Sequence, residues 1–180
     1  MQQNFTASLS VTLAYEGGWA DHPKDPGGAT MRGVTLATYR RFYPKATKAD
    51  LKAISEADIA RIYRQDYWQP VNGDTLAAGV DLATFDAAVN SGPGRAKKWL
   101  VASVGGAAPE TVKKLCAKRL GFMKSLAIWS TFGKGWSRRV AAIEAKGVAW
   151  ALAATADTIV VQEVLNGEQS NAESTASKQS

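Results

Sequence analysis

Cysteine and histidine occur once each in these 180 residues, as Cys116 and His22. A lone cysteine forms no internal disulfide, which suits synthesis in a reducing compartment. Zinc hydrolases draw on several His, Cys or acidic ligands in one cluster, a set that a single histidine does not furnish, so no metal is expected; nor is a cofactor. A Cys/His hydrolase would have to pair Cys116 with His22, yet in KKLCAKRL the cysteine sits inside a helical pattern and reads as a small core residue. No serine stands in a nucleophile-elbow context. Any hydrolysis therefore falls to carboxylates.

Strand signals are scarce as well, and no run is apolar enough for long enough to cross a membrane. Residues 147–165 come nearest, but Asp157 and Glu163 interrupt them, so a packed helix is expected. The opening MQQNFTASLSVTLAYEGG has neither a basic n-region nor an unbroken apolar h-region; no secretory signal is expected, and export would need another route. A content of 46% hydrophobic residues over 180 positions is enough for a sizeable core. It predicts a mainly α fold, with at most a small β-hairpin or loop near residues 20–35, as one domain or two closely packed halves. The polar residues 166–180 are expected to form a disordered tail.

One stretch dominates the rest. EGGWADHPKDPGGATMRGVT, residues 16–35, places five glycines, two prolines, the histidine and three acids within twenty positions. Gly17 and Gly18 end the preceding helix, and Pro23, Pro26, Gly27 and Gly28 force turns, giving a shaped loop or hairpin that starts at a carboxylate. At 100° per residue, Phe5, Leu9, Thr12 and Leu13 fall within about 80° of Glu16, which puts Glu16 on the helix's buried stripe and in its last turn. Burial and the negative end of the macrodipole both disfavour an ionised carboxylate there, and a raised pKa suits a general acid. A frayed, solvated glutamate at a helix end is the alternative. Eight residues separate Glu16 from Asp25, and four more separate Asp25 from Thr30. A second carboxylate opposite the first is the arrangement used in glycoside hydrolysis, and the Thr30 hydroxyl could hold the water.

On these residues the stretch resembles the signature of the glycoside hydrolase family 108 muramidases, the lysozyme-like endolysin and secretion activator group. The resemblance implies a lysozyme-like helical fold and hydrolysis of the β-1,4 bond between N-acetylmuramic acid and N-acetylglucosamine in bacterial peptidoglycan. It gives Glu16, the Glu of EGG, the role of catalytic acid. The order Glu16, Asp25, Thr30 also looks like the triad of classical phage lysozymes, with the Asp to Thr gap one residue shorter. Trp19 and Arg32 of the same stretch become candidate substrate-binding residues. The implied biology is that of a phage or prophage endolysin. Such a protein is made in the host cytoplasm, acts as a monomer, and meets the cell wall in the periplasm after holin-type or lytic release.

Beyond the loop, Thr35 can cap a short helix through Phe42, closed by Pro44. Ser55 with Asp58 resembles a capping box, and Ile59, Ile62, Tyr63 and Tyr67 repeat at helical spacing as far as Trp68, before Pro70. Trp68 is a core plug or a sugar platform, since tryptophan faces stack on sugar rings. From Leu76 to Val89 small residues prevail, predicting a thin central helix with others packed close, on which Asp81 and Asp86 need solvent or partners. FDAAVNSGPGRAKKWL, and later FGKGW with Arg138 and Arg139, resemble the peptidoglycan-binding half that accompanies this family's catalytic half. Asn90 is then a candidate substrate-binding residue of the cleft, or simply a helix cap. Pro109 and Glu110 open a helix to about Trp129, and SRRVAAIEAKGVAWALAA forms another. The resemblance spans roughly residues 5–150 and divides the chain into a catalytic half, 1–90, and a helical half, 91–165, packed on it.

Charge is uneven. Residues 95–146 hold twelve Lys and Arg against two acids, whereas residues 1–94 hold nine against ten. Such a block suits an anionic polymer: peptidoglycan and its anionic envelope neighbours by the resemblance, nucleic acid by the general reading of a basic patch, or merely a solvated face. With the family in view, no nucleic acid is expected. A non-catalytic wall-binding module and a basic nucleic-acid-binding protein remain the alternatives.

Overall fold

The computed structural model describes the backbone of residues 2–21 and 28–177 and the side chains of residues 4–21 and 28–159. Helix α1, Gln2–Leu13, buries Phe5 and Leu9. It ends three residues before Glu16, earlier than the apolar stripe predicts. The N–H groups of Tyr15 and Glu16 turn back to the carbonyls of Thr12 and Leu13, an i to i−3 pattern that tightens the end and carries Glu16 off the helix.

The hairpin expected near residues 20–35 is present as β1, Thr30–Met31, and β2, Val34–Thr35, antiparallel with Thr30 opposite Thr35. Arg32 and Gly33 form its two-residue turn, both with positive φ (48° and 78°), the geometry that matches strand twist in tight hairpins. Ala20 bridges to Thr30 and draws the far side of the loop back against β1.

Thr35 caps α2, Leu36–Arg40, by accepting from the Thr38 N–H, and Ser55 caps α4, Glu56–Tyr63, by accepting from the Asp58 N–H, both as the sequence predicts. Between them lies α3, Lys48–Lys52, a helix outside the sequence expectations, opened by a capping box of Thr47 and Asp50. After α4 the chain makes a π-helical turn, Arg64–Trp68, and a 3-10 turn, Gln69–Val71, carrying Pro70.

Helix α5, Val80–Ser91, is the centre, with every residue from Val80 to Ala88 buried. Around it stand α6, Pro93–Val101, α7, Ala108–Lys124, and α8, Trp129–Ser177. Phe85 of α5 belongs to the core built by α1, the hairpin and α4, while Leu82, Ala83, Ala87 and Ala88 belong to the core built with α7 and α8. One helix thus serves both cores. Its small residues allow this, and at its start Gly79, with φ of 83°, meets the backbone carbonyl of Gly147 on α8 so closely that any Cβ would collide. The α8 backbone continues helical to Ser177, into the segment whose composition predicts a tail without structure. No helix among the described residues is long and apolar enough to cross a membrane.

Candidate active site

Glu16 is the point from which the site is built. Its side chain is 19% exposed, and Oε1 accepts a hydrogen bond from Arg139 Nη2 at 2.9 Å. Oε2 lies over the hairpin turn, where a Cβ on Gly33 would stand 3.1 Å from it and would collide with the Tyr63 hydroxyl. That hydroxyl donates to the Arg32 carbonyl at 2.8 Å and fixes the turn against α4. Burial, and then the negative charge of Glu16, push the Tyr63 phenol upward, so it stays a donor throughout the physiological range.

Arg139 holds more than one acid. Its Nε and Nη2 reach Asp86 of α5, with Nη2 2.8 Å from Oδ1, and Arg119 Nη1 of α7 reaches Asp86 Oδ2 at 2.6 Å. Asp86 and Arg119 are wholly buried and Arg139 nearly so. Burial alone would raise the Asp86 pKa, but the Arg119 and Arg139 guanidiniums together hold it below the ordinary value. Arg139 is in turn kept charged by Asp86 and Glu16 against a burial that works the other way. Two cations and two anions from α5, α7, α8 and the Glu16 loop therefore form one ion network, open to solvent chiefly at Glu16. In the sequence Arg139 stands out only beside FGKGW and Arg119 only as one member of the basic block; the signal for their network is Asp86, an acid on a helix too apolar to leave it in water.

The other candidates divide. Asp25 lies outside the described residues. Thr30 sits on β1 with its hydroxyl donating to the Gly28 carbonyl at 3.3 Å; among the described residues it makes no hydrogen bond to Glu16. Arg32 pairs with Glu56 on α4. Trp19 is half-buried against the first core, with the Lys52 ammonium 5.7 Å from its ring centre. Trp68 is not a sugar platform. It is 0% exposed, edge-to-face with Phe5 and Phe85, and its indole N–H donates to Asp74, which leaves no ring face for a ligand. Asn90 is half-buried, one turn along α5 from Asp86, and lines a hollow of about 240 Å³ with Arg95, Phe122 and Trp136. Trp136 precedes Arg139 by nearly one turn of α8, so two helices lead from the ion network to the same hollow. A roomier hollow of about 540 Å³, at Tyr39, Tyr43 and Asp50, shares no residue with the network.

The basic block also changes character. Of its twelve cations, Arg119 and Arg139 are internal, and the remaining ten are exposed. Among the described residues no three His, Cys, Asp or Glu side chains gather as a metal ion would require.

Residues 9–92 match the model of the Glycosyl hydrolase 108 family. Among solved structures, that of Brucella abortus SagA is 40% identical in sequence, with a TM-score of 0.72, and the match covers 84% of this chain and 97% of that one. No curated protein matches the chain significantly. The family match takes in Glu16 and Asp86 and stops short of Arg119 and Arg139.

Proposed function

Because the chain belongs to the glycosyl hydrolase 108 family, we propose that it is a muramidase, cutting the β-1,4 bond from N-acetylmuramic acid to N-acetylglucosamine in peptidoglycan, with Glu16 as proton donor. The observation that carries this is the placing of Glu16: a carboxyl group within the family-matched segment, mostly out of water, oriented by a guanidinium and facing the hairpin turn. In the reaction Glu16 gives its proton to the glycosidic oxygen as the bond from the muramic acid C1 to that oxygen breaks, and water completes the sugar. Asp25 is the proposed base for that water, with Thr30 helping to hold it. Trp19, Arg32 and the hollow beside Asn90 are the proposed glycan contacts. Trp136, half-buried in that hollow, takes the stacking role that Trp68 is too deep to fill.

Ten exposed cations between residues 95 and 146 suit attraction to an anionic wall, in keeping with a catalytic half at 1–90 and a wall-binding half at 91–165. The biological setting that fits is a monomeric phage or prophage endolysin, made in the cytoplasm and admitted to the wall at lysis. The test is mass spectrometry of purified peptidoglycan after digestion. New reducing ends on N-acetylmuramic acid are expected; products ending in N-acetylglucosamine, released stem peptides, or no cleavage at all would overturn the reading.

A further inference from the structure

We propose that Arg139 is a positioning residue for Glu16, choosing which carboxyl oxygen carries the catalytic proton, and that α8 thereby completes a site whose acid lies in the other half of the chain. The proposal rests on the reading of Glu16 as proton donor.

Arginine has five N–H donors and no acceptor. A protonated carboxyl group facing it must turn its carbonyl oxygen towards it and carry its hydrogen on the other oxygen. Arg139 Nη2 faces Oε1 at 2.9 Å, so the proton belongs on Oε2, the oxygen above the hairpin turn at Gly33. When that O–H bond breaks and the proton passes to the glycosidic oxygen, the new negative charge spreads to Oε1, where the guanidinium already stands. Donors placed in advance of a developing charge are among the most effective catalytic devices.

Charge counting shows that Arg139 is more than a partner for Asp86. Arg119 alone, 2.6 Å from Asp86 Oδ2, would neutralise that carboxylate. With Arg139 added, Asp86 has two cations, and the surplus charge is directed at Glu16. Asp86 grips both the Nε and Nη2 edge of Arg139, which prevents the guanidinium from rotating. Among the described residues, the Nε and Nη2 of Arg119 are buried and have no hydrogen-bond partner, so its one ion pair is with Asp86.

The test uses the full chain acting on soluble glycan strands free of stem peptides. Arg139→Ala should lower kcat about 10²-fold or more, the usual effect of removing a donor at a developing charge, while KM moves less than about threefold. Ethylguanidinium added in solution should restore part of the lost kcat to Arg139→Ala and none to Glu16→Gln. Arg139→Lys, which keeps the charge near Asp86 and so protects the fold, should melt close to wild type yet remain at least about tenfold slow, because an ammonium does not grip both carboxylates in one plane. A folded Arg139→Lys or Arg139→Ala with kcat within about threefold of wild type would overturn the proposal, as would loss in Arg139→Ala that guanidinium leaves untouched. If wild type itself releases no reducing ends, the reading of Glu16 has failed, and the proposal with it.

Discussion

Glu16 and Arg139 stand 123 positions apart in the chain and 2.9 Å apart in the fold. The pair joins the loop after α1 to the N-terminal part of α8, and Asp86 on α5 lies behind it. The same contact shapes what substitution at Glu16 should do.

Glu16→Gln removes the proton and keeps the shape, and its amide oxygen can still accept from Arg139. Release of reducing ends from peptidoglycan is expected to fall at least about 10²-fold, the lower end of what general acid catalysis contributes, with the circular dichroism spectrum unchanged. Activity within about tenfold of wild type would exclude Glu16 as the acid.

Asp86→Asn tests the network through stability. Asp86 in the folded chain takes up a proton only below its ordinary value of 3.8, because Arg119 and Arg139 outweigh its burial. Its stabilising contribution is therefore complete above about pH 4 and is lost as pH falls through the lower folded value, where the unfolded chain has already gained a proton. At pH 7 the substitution should cost about 3–5 kcal/mol, since it leaves two buried guanidiniums short of a charge. Urea unfolding followed from pH 7 to pH 3 should show the gap to wild type narrowing below pH 4. A gap that stays constant would mean that Asp86 is not held ionised.

The exposed charge of α7 can be reversed without touching the network. Lys113, Lys114, Lys118 and Lys124 are exposed, whereas Arg119 beside them is buried on Asp86 and must be left alone. Changing the four lysines to glutamate should reduce lysis of whole cells and weaken its dependence on salt above about 0.1 M, where the Debye length is roughly 10 Å. Cleavage of soluble glycan strands should persist. Salt-sensitive DNA binding that the reversal abolishes, with no glycan cleavage at any salt, would point to a nucleic-acid binder.

Asp25 has a stereochemical signature. If it activates water, the first product sugar carries the inverted α configuration; if it attacks the sugar, the β configuration is retained. Inversion is expected, and NMR of the anomeric proton in the first minutes of digestion decides it. Initial β-anomer would make Asp25 a nucleophile.

Features with local causes were legible in the sequence. Thr35 and Ser55 cap helices because a hydroxyl three residues from an N–H needs no distant partner, and Thr47 with Asp50 carried the same signal unread. The thin helix α5 followed from its alanines. Periodicity placed Glu16 on a buried stripe, but it is blind to the i to i−3 bonds that end α1 at Leu13. Nor does it place Trp68 with Ile59, Ile62 and Tyr63, since a regular α-helix would turn it to the opposite side from Ile59; the π-helical turn Arg64–Trp68 brings it into their core. The Lys- and Arg-rich stretch of α7 conceals Arg119, because composition does not show that it points inward where the neighbouring Lys118 points to solvent. Arg139 was hardest to see, since its role depends on a contact across most of the chain.

That separation also sets an order of events during synthesis. Translation adds about 5–20 residues each second, so the ribosome needs on the order of ten seconds to pass from Glu16 to Arg139. Through that interval the nascent protein holds Glu16, the proposed proton donor, without its Arg139 partner, and α5 lacks the α7 and α8 surfaces that finish its second core. If Glu16 is the acid as proposed, the site is assembled last at the very place where its chemistry begins, and an incomplete chain would be a poor catalyst inside the cell that makes it.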